Sequence, residues 1–167
     1  MKFAYCGLSR QALPALAAAV VLVLSPCAHA QTARSSPPSS PSRASVISSW
    51  PTGKKLVALT YDDGPHPRFT PKLMELLERK KVPATFYVLG QRVAEYPEIA
   101  RQLHERGFEV ASHTYSHKVL TKLTDSQLRA ELENTNKLIT EITGKPVTHM
   151  RPPYGERNPR VDAVIQE

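Results

Sequence analysis

Residues 51–167 predict an α/β fold, parallel strands covered by helices. Two observations carry this. Short runs rich in β-branched and aromatic residues alternate with segments of helical apolar period. The helical segments also open and close on capping residues. A third observation is negative: nothing repeats at the period of a solenoid or propeller.

The elements follow in order. Residues 55–60 read as a first strand. Thr70-Pro71 opens a helix reaching about Lys81, with Thr70 as N-cap and proline at the first helical position. Residues 82–89 (VPATFYVL) read as a second strand. Residues 97–106 form a helix with Ile99, Ala100 and Leu103 on one face, ended by Gly107. Residues 108–111 are a short third strand. Thr124 and Gln127 make a capping box at the start of the longest helix. Leu128, Leu132, Thr135, Ile139 and Ile142 form its stripe, and Gly144 and Pro146 stop it. Residues 147–150 are a candidate fourth strand. Asn158-Pro159 begins a last helix with Val161, Val164 and Ile165 facing inward. That pattern reaches Glu167 without a stop signal, and four strands leave an unpaired edge. The expectation is that residues 51–167 form the amino-terminal part of a longer, truncated domain that folds poorly and is inactive alone.

The chain has 167 residues and a net charge of +7, a length that suggests one domain. Residues 1–30 read as a signal peptide. Lys2 and Arg10 supply its positive end, residues 12–24 its apolar run, and Ala28-His29-Ala30 its cleavage site. The 13-residue run falls short of the roughly 20 needed to span a bilayer. No transmembrane anchor is expected after cleavage, and the expected location is secreted or periplasmic. Leu24-Ser25-Pro26-Cys27 loosely resembles a lipoprotein box, but proline beside the cysteine makes lipidation the second choice. Both cysteines, Cys6 and Cys27, leave with the leader, which excludes disulfides, thiolate nucleophiles and cysteine-bound zinc. Residues 31–50 are rich in Ser and Pro and read as a flexible linker. Arg34 and Arg43 lie in that linker, so residues 51–167 keep a net charge of only +3. No basic run is interleaved with aromatics, so nucleic acid is not an expected partner.

Three polar clusters stand where strands give way to loops, the place for function in such folds. Asp62-Asp63-Gly64-Pro65 is by itself a good turn. Two adjacent carboxylates also repel unless a cation neutralises them, and one can bind a metal while the other accepts a proton. His113-Thr114-Tyr115-Ser116-His117 spaces two imidazoles by four residues. One helical turn would put both on one face, and two histidines with one carboxylate make a catalytic zinc set. The same pair also reads as two surface histidines beside a loop. Arg151-Pro152-Pro153-Tyr154 has a backbone stiffened by two prolines. It reads as a strand terminus, or as a fixed arginine for a carboxylate beside an N–H able to stabilise an oxyanion. His66, His104 and His149 read as structural or solvated.

These clusters, in this order, resemble the polysaccharide deacetylases of carbohydrate esterase family 4, the nodulation-type deacetylase homology domain. Thr60-Tyr61-Asp62-Asp63-Gly64-Pro65 is similar to the family's first motif, with Tyr61 where Phe is more usual. The segments beginning at His113 and Arg151 are similar to the second and third, and the resemblance spans residues 55–160. It implies a distorted, incomplete (β/α) barrel. It implies Asp63, His113 and His117 as ligands of a divalent metal, Zn2+ first among candidates. It makes Asp62 the general base, oriented by Arg151, and the Tyr154 N–H an oxyanion donor. The implied substrate is an N-acetylated glycan: peptidoglycan, chitin oligomers or poly-N-acetylglucosamine. The family's Asp-Trp element and catalytic-acid histidine are expected downstream of Glu167. Two rivals are a glycan-binding protein of the same fold without turnover and a related cyclic-amide hydrolase.

Overall fold

A computed structural model describes residues 45–49 and 51–167; the proposed leader and most of the linker lie outside the described residues. Three parallel strands, β1 (Leu59–Gly64), β2 (Ala84–Val88) and β3 (Glu109–Ser112), form one sheet in the order β1-β2-β3. Helix α1 (Thr70–Lys80) connects β1 to β2, and α2 (Gly90–Glu95) and α3 (Pro97–Glu105) connect β2 to β3. Beyond β3 come α4 (Asp125–Thr143) and α5 (Pro159–Ile165). Parallel neighbours joined through helices are the expected α/β architecture.

β2 shows how the layers form. Ala84, Phe86 and Val88 are buried while Thr85 and Tyr87, pointing the other way, are only half-buried. The buried set packs with Met74 and Leu77 of α1, Val93 of α2, Leu103 of α3 and Ile139 of α4. Four helices thus share one core with one face of the sheet. Phe86 sits at its centre, stacked on Tyr61 at 5.3 Å and edge-on to Phe108 at 5.5 Å between ring centroids. Side chains of this size contribute about 1.5–3 kcal/mol each when fully buried. A second cluster joins Leu128 of α4 to Val161 and Val164 of α5 through Leu120.

Several boundaries differ from those read in the sequence. β1 starts at Leu59, not Lys55, and runs through Asp62 and Asp63 rather than ending before them. A strand exists only where it has a neighbour: Leu59 pairs with Ala84, whereas Leu56 and Val57 are exposed. Thr70 is the first residue of α1 and not its N-cap, which is Phe69. The Thr70 hydroxyl instead accepts the His66 N–H at 2.8 Å, closing the turn after β1. Helix α2 was not foreseen. The expected fourth strand reduces to a single bridge between Ser112 and Met150. The capping box of α4 is present, with both Thr124 and Gln127 side chains bonded, and Gly144 ends the helix at φ 68°. Asn158 caps α5 by accepting the Val161 N–H at 2.9 Å.

Candidate metal and active site

The carboxyl ends of the strands converge on one cleft of about 450 Å³. Backbone bonds bring its walls together: His113 N–H donates to the Val88 carbonyl, and Arg151 N–H to the Ser112 carbonyl, both at 2.9 Å. The second and third polar clusters thereby continue from β3 and from its bridge partner. Asp62, Asp63, His113, His117, Arg151 and Tyr154 all line the cleft, so all six residues singled out in the sequence meet there.

Asp62 and Asp63 part company because β1 bulges between Asp62 and Gly64. Asp63 takes the left-handed conformation, φ 67°, a region that asparagine and aspartate tolerate better than most residues. Its Oδ1 lies 3.4 Å from His117 Nε2 and 3.6 Å from His113 Nε2. Asp62 turns to Arg151, whose Nη1 donates to Oδ1 at 2.7 Å and to the Thr60 hydroxyl at 3.0 Å. The guanidinium also stacks over the Tyr87 ring, 4.1 Å from Cζ to centroid, which fixes its plane. Thr60 and Tyr87 were not singled out in the sequence. Thr60 stands two residues before Asp62 on the same strand face, a period-two signal that could have found it.

The two histidines do share a side, but not through a helical turn. Thr114 and His117 have φ values of 70° and 58°, so the segment is a loop with two left-handed residues. Such conformations cost of order 1–3 kcal/mol each and persist where the surroundings impose them. The result is a pair of rings 5.0 Å apart, with His113 buried and His117 half-buried. The His113 Nδ1 faces the Arg151 carbonyl at 2.7 Å. A carbonyl only accepts, so Nδ1 carries the proton, and Nε2 is the ring nitrogen on the Asp63 side that would ligate an ion.

One donor atom each from Asp63, His113 and His117 lies within 4.8 Å of the others. Tetrahedral zinc with bonds of about 2.0–2.1 Å needs donor atoms roughly 3.4 Å apart, close to the two His–Asp separations. Two neutral imidazoles and a carboxylate are also the donor set that leaves a position open for water. The residues therefore fit a divalent ion of the zinc class. Tyr154, also left-handed at φ 60°, is exposed, and its ring meets His117 edge-on at 4.7 Å. Pro152 and Pro153 lead into the short turn that carries it.

His66, His104 and His149 stay apart from this group, as expected. His66 accepts the Arg68 N–H at 3.1 Å, and His149 meets Tyr87 edge-on at 5.7 Å. His104 lines a separate cleft beside Glu109, at the amino end of β3.

Known proteins resemble this chain in sequence and fold. The family profile for polysaccharide deacetylases matches residues 50–167. A peptidoglycan-N-acetylglucosamine deacetylase of Bacillus cereus is 38% identical over 108 residues, 65% of this chain and 39% of that protein. Chitin deacetylase 1 of Cryptococcus neoformans is 41% identical over 114 residues, 68% of this chain and 24% of that protein. The structure of the peptidoglycan deacetylase PdaC from Bacillus subtilis aligns with a TM-score of 0.63 at 38% identity. That alignment covers 65% of this chain and 54% of PdaC, so the chain spans about half or less of these relatives. The profile covers the whole sheet and every residue of the cleft, and on that ground the chain belongs to the polysaccharide deacetylase family.

Proposed function

We propose that this chain serves the metal-dependent hydrolysis of N-acetyl groups on N-acetylglucosamine-containing glycans, yielding acetate and a free amine. The carrying observation is the separation of the two aspartates, one facing two imidazoles and the other an arginine. In this reading Asp63, His113 and His117 hold the ion, with Zn2+ first among divalent candidates. The chemistry such a group supplies when bound is Lewis acidity at a carbonyl and a water acidified to a pKa of roughly 7.

The cleft's own groups act on the water and on the carbonyl, while the departing amine takes its proton from the catalytic-acid histidine that the family resemblance implies. Arg151 holds Asp62 by Oδ1 and leaves Oδ2 on the cleft side, 4.0 Å from His113 Nε2. That oxygen is placed to take the proton of the attacking water as general base. The Tyr154 N–H, on a turn stiffened by two prolines, is the proposed donor to the carbonyl oxygen as it gains charge. An acetamide is a poor electrophile, so base and oxyanion donor must act on the same carbon. The relatives named as peptidoglycan and chitin deacetylases support a glycan substrate of this class.

The site of action in this reading is outside the cytoplasm, supported by the leader pattern of residues 1–30. Among the described residues no helix is long and apolar enough to cross a membrane. The test is acetate release from chitin oligomers and from peptidoglycan fragments by the full-length gene product, with Zn2+ and after chelation. Zn2+-dependent release is expected. Glycan binding with no release under any divalent ion would overturn the hydrolase reading in favour of a binding protein.

A further inference from the structure

Helix α4 holds a buried carboxyl group that the chemistry above leaves unused. Glu131 is only 7% exposed and lies between Leu128 and Thr135 on the buried stripe of the helix. A carboxyl in such a place must find hydrogen-bond donors. It finds them in the loop that carries the two histidines. Glu131 Oε2 accepts the N–H of Tyr115 at 2.9 Å and of Ser116 at 2.7 Å, while Oε1 accepts the Ser116 hydroxyl. Lys118 adds a partly solvated contact, 3.6 Å from Oε1.

The carbonyls of the same loop are held from another side. Gly90 N–H donates to Thr114 O and Gln91 N–H to Tyr115 O, both at 3.0 Å, at the start of α2. Tyr115 and Ser116 are thus gripped between the two residues with positive φ, Thr114 and His117. Nothing in a Thr-Tyr-Ser-His segment favours that path by itself. An acceptor for two successive N–H groups does favour it, because such a nest of amides exists only when the backbone turns in this way.

We propose that Glu131 is a positioning residue for the metal site, setting the shape of residues 113–117 so that both imidazoles face Asp63. This rests on the reading that Asp63, His113 and His117 hold a divalent ion. Glu131 touches neither ion nor substrate and acts only through the loop.

The test uses the full-length gene product with Glu131→Ala and Glu131→Gln. Glutamine keeps an acceptor oxygen for both N–H groups and turns its amide toward the Ser116 hydroxyl, so it should rescue. Outer ligand-supporting partners are typically worth about 10–100-fold in metal affinity. Co2+ titrated by visible absorption, with Zn2+ in competition, should show E131A weakened by roughly that factor with an altered Co2+ spectrum. E131Q should stay near wild type. If E131A does not fold, Glu131→Asp, which withdraws the carboxyl by one methylene, replaces it with the same expected loss. Wild-type affinity and spectrum in E131A (or in E131D where that replaces it) overturn the proposal, whatever happens to its melting temperature. So does an E131Q as weak as E131A. A wild-type chain that binds no Co2+ refutes the metal reading instead. Amide hydrogen exchange at Tyr115 and Ser116 then decides: protection lost in E131A and kept in E131Q upholds the loop-shaping role, and unchanged protection ends it.

Discussion

Asp62 and Asp63 are joined by one peptide bond, yet their carboxyl groups meet different partners. Asp63 Oδ1 faces two imidazole nitrogens, and Asp62 Oδ1 faces a guanidinium held flat on Tyr87. Replacing each by asparagine should therefore separate two properties. D63N should lose most of its metal affinity while remaining folded, since the side chain is exposed and leaves no buried gap. In the full-length gene product D62N should keep the metal and lose about 10²–10⁴-fold in rate, roughly 3–5 kcal/mol of barrier. Elemental analysis and acetate release on the same two preparations check this. If D62N loses the metal and D63N keeps it, the roles are exchanged. At this scale the sequence was most legible through the ordered set, because each cluster alone also reads as a turn, a surface pair or a strand end, while the three in this order resemble one family. Thr60 and Tyr87 were not legible. Each matters only because a parallel register puts it beside Arg151.

The elements show the same division between local and tertiary information. Helix α4 was readable from its capping box, stripe and terminal glycine, all contained within its own residues. Helix α2 was not, because its first N–H groups are satisfied by the Thr114 and Tyr115 carbonyls rather than by a local cap. The expected strand of residues 55–60 moved downstream because pairing with β2 outweighs propensity. Glu131 escaped attention for a related reason. A glutamate beside Leu132 looks like the solvated edge of a helix until a loop folds over it. The junction of α2 and the histidine loop is also tight. A Cβ on Gly90 would stand 2.4 Å from Tyr115 Cδ2 and 2.7 Å from Thr135 Oγ1. Gly90→Ala should therefore destabilise by about 1–3 kcal/mol, the usual cost of overpacking. Displacement of Tyr115 should also weaken metal binding. Denaturant unfolding and Co2+ titration of that variant check both effects, and wild-type values in both would mean that the loop yields without consequence.

At the scale of the whole molecule, the candidate ligands come from segments distant in sequence that only the sheet unites. Asp63 belongs to β1, His113 and His117 follow β3, and β2 lies between the two strands. No short segment of the unfolded chain contains all three, so an ion bound there favours the folded state almost exclusively. Free ion at 100 times its dissociation constant then adds about 2.7 kcal/mol to stability. For a domain of this size that is roughly a 10 °C rise in melting temperature. Thermal unfolding of the full-length gene product with EDTA, and then with excess Zn2+, should show such a rise. D62N should show it undiminished, because Arg151 and not the ion is its partner. D63N should show little of it, because two imidazoles alone are a weaker set. A rise of equal size in D63N would mean that the stabilising ion sits elsewhere. The three-residue site would then no longer explain why these strand ends are brought together.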